Sequence, residues 1–166
     1  MAWAFAYGSL MGDAVLGRYP ARPARLSGLR RAFLHESTRR WGTPERPCPM
    51  LGLAPGDECW GLAFEVPDAE RAAVGRALGK RESAGERRRE TRAVETPGGT
   101  VDAWVWVSRA SNGERENDPD EIEARLRAAH GVVGTGVEYV RTVVHAMELH
   151  GIHDPLVARL WARLQD

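Results

Sequence analysis

The sequence predicts an α+β fold, a curled or closed mixed β-barrel with flanking helices, and three observations point to it. Strand patterns fill the first two-thirds of the chain and helical patterns the last third. The two do not alternate regularly, which argues against a doubly wound parallel sheet. Residues 59–66 alternate large and small side chains, as filling the taper of a small closed barrel requires. At 166 residues the chain fits one domain, 1–166, long enough to bury about two-thirds of its unfolded surface.

The elements follow from local chemistry. Ala2-Trp3-Ala4-Phe5-Ala6 is an apolar run suited to a buried strand, and it ends in Tyr7-Gly8-Ser9-Leu10. Two small residues directly after a strand let backbone N–H groups approach an anion closely, so this turn is a candidate carboxylate clamp. Residues 12–24, with Pro20 and Pro23, read as a loop. A long strand is expected over 25–36, anchored by Leu26, Phe33 and Leu34, with Gly28 marking a bulge or a close approach. Residues 42–49 are turn chemistry, and a short strand over 50–53 is expected to close in a turn at Pro55-Gly56-Asp57. Asp68 suits the N-cap of a helix ending near Leu78, with Gly79 as its C-cap and Glu82 just beyond. Residues 86–95 and 101–107 pair through the turn Pro97-Gly98-Gly99, the second run alternating valines and Ala103 with Trp104 and Trp106.

After a polar stretch at 111–120, Asp118-Pro119-Asp120-Glu121 starts a helix reaching about His130, with Glu121 able to complete a capping box. Gly131, Gly134 and Gly136 read as a flexible connection. Val140, Val143, Val144 and Met147 then share one face of a helix ending near Gly151. Asp154-Pro155 opens a final helix whose Leu156, Leu160 and Leu164 can cover the barrel.

Composition excludes several classes of partner. Basic and acidic residues number 23 each, so nothing global argues for nucleic acid or an anionic membrane. Residues 1–56 nevertheless hold eight arginines against Asp13, Glu36 and Glu45, a local excess that suits an anionic small molecule. Cys48 and Cys59 are too few for a disulfide framework and read as free thiols in a reducing cytosol. No basic leader precedes the short apolar run and no segment is long enough to span a bilayer, so a cytoplasmic protein is expected. His145 and His150 lie about 140° apart on a helix and Gly131-x-x-Gly134-x-Gly136 is not a dinucleotide fingerprint, so neither metal nor cofactor is expected.

The motifs also fall in a telling order: Tyr7 to Leu10, Arg25 to Phe33, Ser37-Thr38, Gly42-Thr43-Pro44-Glu45, Cys59 to Ala63, Arg81-Glu82 and Glu138-Tyr139. This ordered set resembles the gamma-glutamylcyclotransferase superfamily, most closely its ChaC-like branch, from Trp3 to about Leu164. The resemblance implies the barrel fold and a cofactor-independent reaction on a small γ-glutamyl substrate. A free α-amine attacks its own γ-carbonyl, forming 5-oxoproline and releasing the attached amine. It also implies that Glu82 is the acid/base, and a carboxylate can serve if partial desolvation lifts it toward roughly 6 to 7. The backbone of Gly8, Ser9 and Leu10 is then the substrate clamp, with Tyr7 walling the pocket. By the same likeness Tyr139 lines the pocket, and Ser37 with Arg39 or Arg40 are further contacts.

Three positions depart from the glutathione-cleaving pattern: Glu86 replaces a common Tyr, Trp41 a common Arg, and Gly136 a common Asn. They leave the γ-glutamyl half of the pocket intact and open two alternatives. One is a γ-glutamylamine cyclotransferase of a biosynthetic pathway, the other a non-catalytic γ-glutamyl sensor.

Overall fold

The computed structural model describes residues 1–83, 87–109 and 118–166. Glu86 and most of the polar 111–120 stretch lie outside the described residues. Five strands, β1 (Ala2–Ala6), β2 (Ala21–Ser37), β3 (Cys48–Val66), β4 (Arg87–Thr96) and β5 (Gly99–Ser108), close a barrel in the order β1-β3-β2-β4-β5. The β1/β5 seam is parallel and the other pairings are antiparallel, which makes the barrel mixed. Helices α1 (Arg71–Ser83), α2 (Pro119–Ala128), α3 (Gly136–Leu149) and α4 (Pro155–Gln165) flank it, and a 3-10 turn, Ser9–Gly12, follows β1.

Alternation along β5 divides the core. Ala103, Val105 and Val107 join Phe5, Leu26, Leu53 and Ala63 in a cluster drawn from the strands and Tyr7. Trp104 and Trp106 face the other way, into a larger cluster where Val74, Leu126, Val143 and Leu160 of the four helices pack on the sheet.

The structure corrects several expectations. First, β2 starts at Ala21, so Pro23 lies in a strand opposite Leu62 rather than in a loop. Its far edge meets β4 at Arg25↔Glu95, beyond Pro23, and a proline is tolerated where no ladder hydrogen bond is needed. Second, the expected turn at Pro55-Gly56-Asp57 does not form. β3 runs unbroken past it, with Pro55 opposite Leu29, because the long β2 offers a pairing partner throughout. The irregularity is absorbed as a register shift between Ser27 and Leu29, where Gly28 takes φ 82°, and a second shift falls between Phe33 and His35.

Third, α1 continues through Gly79 to Ser83, which places Glu82 in its last turn instead of beyond its end. Asp68 does not cap the helix with its side chain but pairs with the N-terminal amine at 2.5 Å. Fourth, the glycine connection is pinned. Val132 and Val133 donate backbone hydrogen bonds to the carbonyls of Arg39 and Arg40 at 2.9 and 2.8 Å, and Gly136 is already the first residue of α3. The capping expectations fare better: Asp118 accepts from Asp120 N at 3.0 Å and Asp154 from Val157 N at 3.1 Å. Glu121 does not complete a box, sitting 3.8 Å from Arg125 instead. Among the described residues no helix is long and apolar enough to cross a membrane.

Candidate active site

One cavity of about 610 Å³ opens where the end of β1, the 37–41 segment, the last turn of α1 and the first turn of α3 meet. Tyr7, Gly8, Ser9, Leu10, Ser37, Arg40, Glu82 and Tyr139 all line it, so residues far apart in sequence converge on one space. Its size lies in the range of small-molecule sites.

Each wall is held by local structure. The chain leaves β1 at Tyr7 and turns into Ser9–Gly12, whose opening N–H groups have no intrahelical acceptor. Arg31, its side chain 1 % exposed, fixes this exit: Nε donates to the Tyr7 carbonyl at 2.7 Å, while Nη1 pairs with Asp154 at 2.9 Å. A further hydrogen bond to the Trp60 carbonyl completes the anchor. The Tyr7 hydroxyl donates to the Trp106 carbonyl at 2.8 Å, and burial pushes its pKa up to about 12. Tyr139 enters from α3, whose start is locked by a reciprocal box between Thr135 and Glu138. Its hydroxyl accepts from Leu51 N at 3.0 Å and keeps its own proton to donate, since burial raises its pKa too. A Cβ built on Gly8 would lie 3.8 Å from that hydroxyl, so the turn and Tyr139 face each other closely. Ser37 Oγ accepts from Trp41 N at 3.1 Å and sets the bend of the opposite wall.

Glu82 is buried, 8 % exposed, between two guanidinium groups. Arg87 Nη1 lies 3.3 Å from Oε2 and Arg81 Nε 3.8 Å from Oε1. Arg81 also donates to Ser9 Oγ at 3.1 Å and forms an ion pair with Asp13, tying the turn after β1 to the helix that carries Glu82. Arg87 donates to the Leu51 carbonyl at 2.8 Å, which anchors it from the other side. His35 lines the same cavity with Nε2 2.6 Å from Ser108 Oγ. Burial, helped by the charge of Arg87, lowers its pKa to about 4, so the ring is neutral at physiological pH.

Sequence reasoning missed Arg31, Arg81 as a bridge, Arg87 and His35. Arg87 opens a charged run that resembles a solvated face, and Arg31 sits in a pattern broken by the register shifts of β2. The cavity lining contains five cationic side chains and two carboxylates, and one of the latter, Glu36, is turned toward Arg125. Such a site favours an anionic ligand with an acid poised inside it. Among the described residues no group of three or more His, Cys, Asp or Glu could hold a metal ion.

Comparison with known proteins bears on the family and the fold. The chain is 30% identical over 165 residues to the glutathione-specific gamma-glutamylcyclotransferase of Escherichia coli K12, covering 94% of this chain and 71% of that one. Its fold superposes on a yeast gamma-glutamylcyclotransferase specific to glutathione with a TM-score of 0.87 at 19% identity, covering 99% and 95% of the two chains. A second gamma-glutamylcyclotransferase structure gives a TM-score of 0.63 at 16% identity over 97% of this chain and 86% of that one. The sequence profile described as ChaC-like protein matches residues 2–165, and the chain therefore belongs to the ChaC-like family within the gamma-glutamylcyclotransferase superfamily.

Proposed function

We propose that this gamma-glutamylcyclotransferase acts on glutathione in the cytosol, converting it to 5-oxoproline and cysteinylglycine with Glu82 as acid/base. The observation that carries the reading is a buried carboxylate and a small-residue turn facing one cavity, with Arg81 touching both.

The geometry supports the following chemistry. Backbone N–H groups of Gly8, Ser9 and Leu10 receive the α-carboxylate, and Tyr7 walls off the γ-glutamyl group. Held folded, the substrate brings its α-nitrogen to the γ-carbon, the arrangement in which intramolecular attack is strongly favoured. An α-ammonium with a pKa near ~8 has to lose its proton first, and Glu82 accepts it. The new C–N bond closes the five-membered ring, and the Tyr139 O–H donates to the developing oxyanion. Glu82 then returns the proton to the departing nitrogen as the original amide bond breaks, and the second proton of the ring nitrogen is passed on to the released amine, which leaves as an ammonium, so no water is consumed. Ser37 and Arg40 contact the leaving portion. Two buried cysteines, Cys48 and Cys59, with thiol pKa values pushed up to about 12 and about 11 by burial, suit a compartment where glutathione keeps thiols reduced.

Glu82→Gln is the test: nearly isosteric, it should fold and bind glutathione but lose turnover by about 10² to 10⁴. Release of 5-oxoproline at the wild-type rate by this variant would refute the assignment.

A further inference from the structure

We infer that Arg39, Arg40 and Lys80 form a subsite for a carboxylate on the leaving amine, so the enzyme selects γ-glutamyl peptides over γ-glutamyl compounds whose leaving amine is neutral or cationic. The inference rests on the cyclotransferase reading above and adds what the far half of the cavity recognises.

Acids and bases are equally numerous in this chain, and about half of its 22 arginines find carboxylates, among them Arg18, Arg22, Arg25, Arg31, Arg81, Arg87, Arg88, Arg92, Arg125, Arg127 and Arg163. Arg39, Arg40 and Lys80 are exposed, line the cavity, and have no side-chain partner among the described residues. Glu36, the acid nearest Arg39 and Arg40 in sequence, is committed to Arg125, and Glu82, the one nearest Lys80, lies between Arg81 and Arg87. Three uncompensated cations therefore stand around an opening whose inner end holds Glu82 and the turn after β1.

The backbone under two of them is fixed. The Arg39 and Arg40 carbonyls accept from Val132 and Val133, and Ser37 Oγ accepts from Trp41 N, so the segment is stapled at three points while its guanidinium groups stay unengaged. A preorganised backbone carrying unengaged donors is what carboxylate recognition needs, because little order remains to be imposed when the ligand arrives. Glutathione offers the C-terminal carboxylate of its leaving dipeptide. A γ-glutamyl diamine offers a second cation, which this rim repels.

The experiment compares kcat/KM for glutathione, its C-terminal glycine amide and a γ-glutamyl diamine, with 5-oxoproline as the readout at low and at high salt. Glutathione should exceed the amide by about tenfold at low salt, with the diamine lower still, and the gap should narrow in high salt as exposed charges are screened. In Arg39→Gln, Arg40→Gln and Lys80→Gln the glutathione-to-amide ratio should fall toward one. A ratio taken on one preparation does not depend on how much of the variant is folded. Equal kcat/KM for the acid and the amide would overturn the subsite while leaving cyclotransfer intact. No 5-oxoproline from any of the compounds would overturn the reading beneath both.

Discussion

Asp13 decides how much positive charge Glu82 faces. It holds Arg81 from behind while its Oδ1 accepts from Val15 N at 2.8 Å, so the guanidinium is shared between the turn after β1 and the acid. In Asp13→Asn, Arg81 is released to close on Glu82 and occupy the oxygen that, in the proposed mechanism, meets the substrate's ammonium. We expect kcat to fall about tenfold, on the order of 1.4 kcal/mol, with KM changing less, as steady-state kinetics on glutathione would read. His35 makes a separate prediction about stability. Its pKa is about 4 when folded against an ordinary 6.5, so between those values the unfolded chain binds the proton and the folded chain does not. The contribution of neutral His35 to stability is therefore complete above about pH 6.5 and is lost as pH falls toward 4. Urea titrations across that window should show a steeper decline for the wild type than for His35→Gln. The sequence brought Glu82 and the Tyr7 to Leu10 turn into view because a family pattern carries them. Arg81's bridge and His35's burial come from contacts with residues 13 and 108, which nothing local encodes.

At the scale of elements, the misread boundaries share a cause. Pro55-Gly56-Asp57 and Gly79 carry the chemistry of chain reversal and helix termination, yet β3 and α1 run through them. Long-range pairing with β2 outweighs the turn preference, and a glycine inside a helix costs only about 1 kcal/mol. The consequence for function is direct, since the extra turn of α1 is the one that carries Glu82. Where a glycine is required, its substitution should register. Gly28 sits at φ 82°, so Gly28→Ala is expected to destabilise by about 1–2 kcal/mol through backbone strain alone. Gly136 is required by proximity, for a Cβ there would lie 2.4 Å from the Leu126 carbonyl oxygen. Gly136→Ala should cost about 1–3 kcal/mol and also raise KM, because it displaces the α3 turn from which Tyr139 reaches the cavity. Thermal denaturation with kinetics on the same samples separates these two variants. The hairpin of β4 and β5, and the caps at Asp118 and Asp154, were legible because strict alternation and capping residues are local signals.

For the whole molecule, Arg31 joins parts that the chain order keeps distant. It links the exit of β1, the middle of β3 and the Asp154 cap of α4, so the helical layer and the barrel are registered through one buried guanidinium. Arg31→Met removes that charge and leaves Asp154 and two carbonyls without their donor, and a loss of about 3–5 kcal/mol is expected in chemical denaturation. The α+β class and the barrel could be anticipated from the distribution of strands and helices. The parallel β1/β5 seam could not, because closure is decided by pairs a hundred residues apart such as Trp3↔Ala103. That closure, with the helices packed on it, is what brings the turn after β1, the end of α1 and the start of α3 around one cavity. The most direct measurement follows the products of glutathione by mass spectrometry, with wild type and Glu82→Gln side by side and binding checked by calorimetry. Wild type should give equal amounts of 5-oxoproline and cysteinylglycine, and Glu82→Gln should bind glutathione without forming either. Free glutamate as the wild-type product, or undiminished 5-oxoproline from Glu82→Gln, would contradict intramolecular cyclisation driven by this carboxylate.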